Sequence, residues 1–280
     1  METWDKTELK NLAFASGKPL EVRCAEQFYQ KGWHVKLGSF YRDIDGKLRE
    51  LDALVEKNQE HNLNGHPCEI TLRVLCSCKG FLPETRPVTY SVSENKNVAL
   101  KPAFMYEGRT RLGAIMERMG EKTADLFIRR EDLKDQLIGF DMFEKKTVKG
   151  TEEYRRKGDR DYIYEGLDSA IKAAIFWFQR DKHTYQQLKL QNYHRGYVTL
   201  SVPLLVTQHP FFDFTMDKGQ PTDRVIRHSG YFVGYYPYRE EEPEKIMSLI
   251  WHVEKLTDLI KHLDFLFDEL ETSVKLSLER

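Results

Sequence analysis

The sequence predicts an α/β domain with an α-β-β-β opening, a later helix, additional strands and a long C-terminal helix. Three observations predict it. Apolar residues recur at helical spacing in LEVRCAEQFYQK (20–31), a tight-turn dipeptide separates two strand-forming runs after it, and residues 249–274 carry apolar side chains at alternating spacings of four and three.

In the first helix Leu20, Cys24 and Phe28 share one face with Ala25 beside them, and Gly32 follows where a helix C-cap belongs. WHVKLGSFYRDIDGKLRELDALVEK then places two strand-capable runs on either side of Asp45-Gly46, a dipeptide suited to the positive φ angles of a hairpin turn, so these strands are expected to be antiparallel neighbours. A polar loop is expected over 58–67. The β-branched and apolar run CEITLRVLCSCK makes a third strand. Further on, the pattern gives a helix near 108–120 and irregular charged sequence to about 160. A second clear helix at 165–182 has Leu167, Ala170, Ile171, Ala174, Ile175 and Phe178 on one face. VTLSVPLLVT (198–207) reads as a buried strand bulged or placed at an edge by Pro203, and GYFVGYYPY as another strand.

The seam Leu249, Val253, Leu256, Ile260, Leu263, Phe267, Leu270 and Val274 resembles one strand of a coiled coil. A single helix over 244–279 would be roughly 54 Å long at 1.5 Å per residue. It could pair with its copy in a homodimer or lie along its own chain, and Leu259, Phe265 and Leu266 widen the stripe toward burial on several sides. The organisation is therefore one α/β domain over 1–240 and an amphipathic helix over 241–280.

With 40% hydrophobic and 12% aromatic residues over 280, the chain can bury a full core. No run approaches the ~18 consecutive apolar residues of a membrane span, and METWDKTELK has neither the apolar core nor the cleavage site of a secretory signal. Four cysteines are few for a disulfide scaffold of this length, so reduced thiols and a cytoplasmic location without membrane contact are expected. The net charge of −1 divides into an acidic tail from 239 and a weakly basic body. Lys145, Lys146, Arg155 and Arg156 belong to its densest basic cluster, a candidate phosphate contact or a solvated loop. His66, Cys68, Cys76 and Cys78 contain zinc-ligand types but lack the usual C-x-x-C spacing. HPFFDF and GYFVGYYPY could stack on bases, although such aromatics more often fill a core. No phosphate-binding loop or dinucleotide fingerprint is present.

The residues that carry chemistry cluster in the opening. Asp52 lies on the second hairpin strand and Lys79 ends the third, where Ser77 shares its face while Cys76 and Cys78 face the opposite layer. Glu21, on the preceding helix, could approach from the side. Carboxylates grouped with a lysine are what metal-assisted phosphodiester hydrolysis needs, the acids holding a hard cation and the lysine positioning water or phosphate. Leu20-Glu21, the run Tyr41-Arg42-Asp43-Ile44-Asp45-Gly46-Lys47-Leu48-Arg49-Glu50-Leu51-Asp52 and the strand ending Cys78-Lys79-Gly80 resemble the prokaryotic PD-(D/E)xK, restriction-endonuclease-like nucleases over about residues 18–82. In that family a helix glutamate precedes an R-E-(I/L)-D strand and a strand ending E-C-K.

The resemblance implies a restriction-endonuclease-like core (α-β-β-β-α-β) and Mg²⁺- or Mn²⁺-dependent cleavage, with DNA as the substrate. Asp52 and Glu21 would serve the metal, and Lys79 would position the attacking water. The departure is Ser77, which stands where the family has its second acid, and a hydroxyl is a poor Mg²⁺ ligand beside a carboxylate. A variant of the family with S-x-K draws that acid from further along, which nominates Glu84 or Glu94. The alternative is a catalytically inactive nuclease-fold protein that binds nucleic acid or protein. Taken singly, Asp52, Lys79 and Glu21 are also ordinary strand-end and helix first-turn charges.

Overall fold

The computed structural model describes residues 17–43, 45–63, 66–80, 85–93, 105–108, 119, 135–148, 151–156, 162–190, 196–239 and 242–278. Helix α1 (Lys18–Tyr29) leads into β1 (His34–Arg42), β2 (Leu48–Leu63) and β3 (His66–Lys79), the expected α-β-β-β order. The turn between β1 and β2 is built on Asp43, whose Oδ1 accepts the N–H groups of Asp45 and Lys47 and whose Oδ2 accepts from Arg49 Nε. Gly46 supplies the positive φ of 75° that the turn requires. The strands are antiparallel, from Arg42↔Leu48 to His34↔Glu56.

The loop expected at 58–67 is instead continuous hairpin, with β2 and β3 paired from Ala53↔Cys76 to Leu63↔His66. Its polar residues extend beyond the core and are met by the C-terminal helix, through Lys57 to Asp264 at 2.7 Å and through a close contact between His61 and Glu271.

After β4 (Thr85–Ser93), β5 (Met105–Gly108), β6 (Asp135–Val148) and β7 (Thr151–Arg156), helix α2 (Tyr162–Leu190) crosses to β8 (Gly196–Thr207). β8 is parallel to β3 over its whole length, Cys68↔Gly196 to Lys79↔Thr207. The other edge of β8 pairs with β5 at 197–200 and with a later strand at 204–207, so Pro203 falls beyond the β5 pairing and just before the second ladder. The chain continues through β9 (Phe211–Asp217), β10 (Gln220–Arg227), β11 (Ser229–Arg239) and β12 (Glu242–His252). The sheet order is β1-β2-β3-β8-β12-β11-β6-β4-β9-β10, with β5 on β8 and β7 on β6. β1, β2, β3, β8, β12 and β11 form a mixed six-stranded sheet, joined to the rest at the bridge Phe232↔Leu137.

Two further expectations are corrected here, and a third lies beyond what is described. The irregular region to 160 contains the β6–β7 hairpin, whose register sets Arg155 opposite Glu144 and Lys146 opposite Glu153. The helix expected from 244 begins only at Leu256, after a 3₁₀ turn at Val253–Lys255, because the apolar run Met247–Trp251 is buried and forms β12, parallel to β8 and antiparallel to β11. The expected helix near 108–120 lies almost wholly outside the described residues.

The remaining helix, α3 (Leu256–Leu278), lies with α1 on one face of the sheet, and α2 covers the other. Leu256, Leu259, Ile260, Leu263, Leu266, Phe267, Leu270 and Val274 are all buried with Leu20, Cys24, Phe28, Ala53, Val55, Cys76 and Val206. The seam, expected either to pair with its copy or to lie along its own chain, is enclosed by its own chain, because the stripe is too wide for a two-stranded contact. Trp33 Nε1 donates to Asp264 at 3.0 Å, fixing α3 along the sheet. On the opposite face Arg73, nearly buried, joins Glu56 at 2.6 Å and Asp181 of α2 at 2.7 Å. No helix among the described residues is long and apolar enough to cross a membrane.

Candidate functional site

The β2–β3 ladder stops at Ala53↔Cys76, and Asp52 takes over from it. Its Oδ2 accepts the Cys78 N–H at 2.6 Å and the Ser77 hydroxyl at 3.3 Å. Both bonds fall on one oxygen, leaving Oδ1 as the atom that can meet a ligand.

Asp52 reaches this position because the strand changes face there. Ala53 and Val55 pack toward α1 and α3, whereas Leu51, two residues from Ala53, packs with Tyr41 against α2. A regular strand would keep Leu51 and Ala53 on one side. Gly38 lies opposite Asp52, between Leu37↔Ala53 and Ser39↔Leu51, and has φ of 60°. That left-handed residue marks the switch, and a glycine within a strand pattern is the sequence signal that could have located it.

Glu21 comes from the α1 side. It is 6% exposed, and its carboxylate takes Lys18 Nζ at 2.8 Å. Burial raises its pKa, with the Asp52 charge adding to the rise and Lys18 opposing it. Burial likewise raises the pKa of Asp52, against the pull of the Cys78 N–H, the Lys79 charge and the Ser77 hydroxyl. Two acids made reluctant to ionise share one corner of the fold with two lysines, Lys18 and Lys79. Lys18, which also reaches Glu50 at 3.4 Å, was not among the residues singled out from sequence.

Asp52 and Ser77 are in contact and the charges of Glu21 and Lys79 act on Asp52, while Glu84 and Glu94 lie outside the described residues. Among the described residues no group of three or more His, Cys, Asp or Glu side chains is arranged to hold a metal ion. Asp52 and Glu21 are carboxylates, the donor type that a hard cation takes. The basic cluster is placed elsewhere. Lys145 and Lys146 lie on β6 and Arg155 and Arg156 on β7, and β6 is four strand spacings from β3, roughly 19 Å along the sheet.

The thiols divide differently from the zinc pattern considered above. Cys68 is at the far end of β3 against Gly196, while Cys24, Cys76 and Cys78 meet in the core under α1. Each of these three has a raised pKa: Cys24 through its contact with Cys76, Cys78 through its contact with Cys24, and Cys76 through burial, which adds to the rise in the other two. Buried neutral thiols of this kind pack as small apolar groups. Of the aromatic run at 210–214, Phe211 is buried and Phe214 stacks on Tyr90, with centroids 6.3 Å apart. The side chains of 231–239 lie outside the described part.

At the same end of the sheet, Thr207 stands opposite both Lys79 and His252 in the parallel registers of β3, β8 and β12. The carboxyl ends of three parallel strands thus share an edge, the location at which open α/β sheets bind ligands. Compared with protein-family models, with curated proteins and with solved structures, the chain matches none, and the chemistry of this edge is read from its own residues.

Proposed function

We propose that this chain is a divalent-cation-dependent nuclease that cleaves phosphodiester bonds in DNA, built on a restriction-endonuclease-like core. The observation that carries the reading is Asp52 held by Ser77 and the Cys78 N–H where β3 ends, with the charges of Glu21 and Lys79 acting on it. Support also comes from the element order α1-β1-β2-β3, then α2-β8 with β8 parallel to β3. Fold likeness by itself would not specify chemistry, so the weight rests on the side chains.

Asp52, through Oδ1, and Glu21 would hold Mg²⁺ or Mn²⁺, with Glu84 or Glu94 the expected third acid. Bound there, the cation would polarise a phosphoryl oxygen and lower the pKa of attacking water. The protein's own groups do the rest. Ser77 and the Cys78 N–H pin Oδ2 and so fix the direction of Oδ1. Lys79 offers N–H donors to water or to a non-bridging oxygen. With α3 enclosed in its own chain, a homodimer through that helix is no part of the reading, and the expected product is a nick in one strand. The basic positions 145, 146, 155 and 156 would make a remote backbone contact at most. A cytoplasmic setting, where DNA and Mg²⁺ are both available, belongs to the same reading.

A second reading is favoured by one contact: Ser77 donates its hydroxyl to Asp52 and behaves as that acid's partner, as it would in a nuclease fold retained for binding nucleic acid or protein. Calorimetric titration of Mg²⁺ and Mn²⁺ into the wild type and Asp52→Ala, with plasmid nicking in the same buffer, separates the two. The nuclease reading expects metal binding and nicking that Asp52→Ala and Lys79→Ala abolish. Absence of both activities in the wild type leaves the binding module.

A further inference from the structure

α2 contains one glycine, Gly166, in its first turns. Glycine is the poorest helix former after proline, and inside a helix it calls for a packing reason. Gly166 has no positive φ to account for it. The reason is space: a Cβ at 166 would lie 2.7 Å from Leu205 Cδ1, 3.0 Å from Lys79 Cε and 3.1 Å from Lys79 Cγ. The stem of Lys79 lies against bare helix backbone.

We propose that Gly166 is a positioning residue for the Lys79 ammonium group, a role that rests on reading Asp52 and Lys79 as parts of one site. The main chain of Lys79 is fixed by its register with Thr207 and by its carbonyl, which accepts the Gln208 N–H at 3.3 Å. The stem is then confined by the bare helix backbone at Gly166, and the ammonium group is held where its charge acts on Asp52. A free lysine would distribute its ammonium over many rotamers, so confinement pre-organises it. Ser77 makes this more important. A carboxylate two residues before Lys79, on its face, would attract the ammonium electrostatically, and a neutral hydroxyl does not, so the direction falls to packing.

The test uses the full chain with Gly166→Ala, Leu205→Val and the double variant. Valine lacks the Cδ1 atom that makes the 2.7 Å contact, so the double variant accommodates the new methyl group on the β8 side while the Lys79 clash remains. Thermal unfolding verifies that each variant is folded. Lysines are reductively methylated with ¹³C-formaldehyde, and the Lys79 resonance is assigned by its loss in Lys79→Arg. Metal-dependent nicking is followed in parallel as kcat and KM.

We expect the Lys79 resonance to move in Gly166→Ala and in the double variant but not in Leu205→Val. kcat should fall about 10² in the first two, as for an ~1 Å displacement of a reacting group, with KM and calorimetric metal affinity unchanged. An unmoved resonance in Gly166→Ala, or a moved resonance with kcat intact, overturns the proposal. A wild type that neither binds metal nor nicks DNA removes the nuclease reading, and the resonance then decides on its own: moved in both chains that carry Gly166→Ala it upholds the positioning role, unmoved it ends it.

Discussion

Asp52 combines two demands that oppose each other. Burial raises its pKa, so its ionised form weighs against the native state. That contribution is favourable at low pH and is lost as pH rises through the raised value. Asp52→Asn removes the charge and keeps an oxygen for the Cys78 N–H, so without metal its thermal midpoint at pH 8 should equal or exceed that of the wild type. Metal at about 100 times Kd should stabilise the wild type by about 2.7 kcal/mol and the variant not at all. A drop of several degrees in the metal-free variant would make Asp52 a structural residue. His252 has the opposite pH dependence. Its Nε2 donates to the Gln208 carbonyl at 3.0 Å, which leaves Nδ1 to accept from His228 Nδ1 at 3.0 Å. Burial lowers its pKa, the neighbouring His228 and His209 lower it further, and the Gln208 carbonyl and Glu254 oppose them. A histidine with a depressed folded pKa contributes stability above its unfolded value of about 6.5, lost as pH falls toward the folded value. His252→Gln should therefore flatten the fall in thermal midpoint between pH 7.5 and 5.5. The raised acids Asp52 and Glu21 act in the other direction, so the comparison between variant and wild type carries the sign. Equal slopes would remove His252 from the pH response.

Helices α1 and α2 and strands β1, β2, β3 and β8 were legible because each has one strong period, although the polar ends of β2 and β3 read as a loop. Residues 242–252 were not, because Leu249 and Val253 fit a helical seam by chance while the apolar run between them answers to strand neighbours far away in sequence. β6 and β7 were hidden by mixed charges without a strand period, and their register exists only across the ladder. The site was half legible. Period-two alternation set Ser77 and Lys79 on one face, but the Gly38 switch that brings Asp52 to them depends on a tertiary register. For α3 the pattern gave the buried face and left its partner undecided, and the fold places that face on the chain's own core. Leu263→Ala, at a fully buried position, should then cost about 2–5 kcal/mol, with an unfolding midpoint independent of protein concentration. Denaturant titrations across a hundredfold concentration range would reveal a shift if α3 were instead buried between copies.

At the scale of the whole molecule the sheet is continuous but its coherence is uneven. β3 and β8 pair from Cys68↔Gly196 to Lys79↔Thr207 between two helical layers, whereas β6 meets β11 at the bridge Phe232↔Leu137. The part beyond that bridge has its own anchor: Asp213, fully buried, accepts from Thr89 at 2.8 Å, Ser91 at 2.7 Å and Arg227 at 2.6 Å, tying β4, β9 and β10 together. Removing one member of such a network leaves buried donors without their acceptor and costs about 3–5 kcal/mol. Where that cost appears depends on cooperativity, since protein segments open locally when few contacts bind them to the rest. Asp213→Ala should accelerate hydrogen exchange in β4, β9 and β10 and leave the amides of Thr71–Leu75 and Val198–Leu205 at wild-type rates, with Asp52 and Lys79 still in place. Equal acceleration in β3 and β8 would mean that the twelve strands open as one unit, and that the candidate site depends for its stability on the distant end of the sheet.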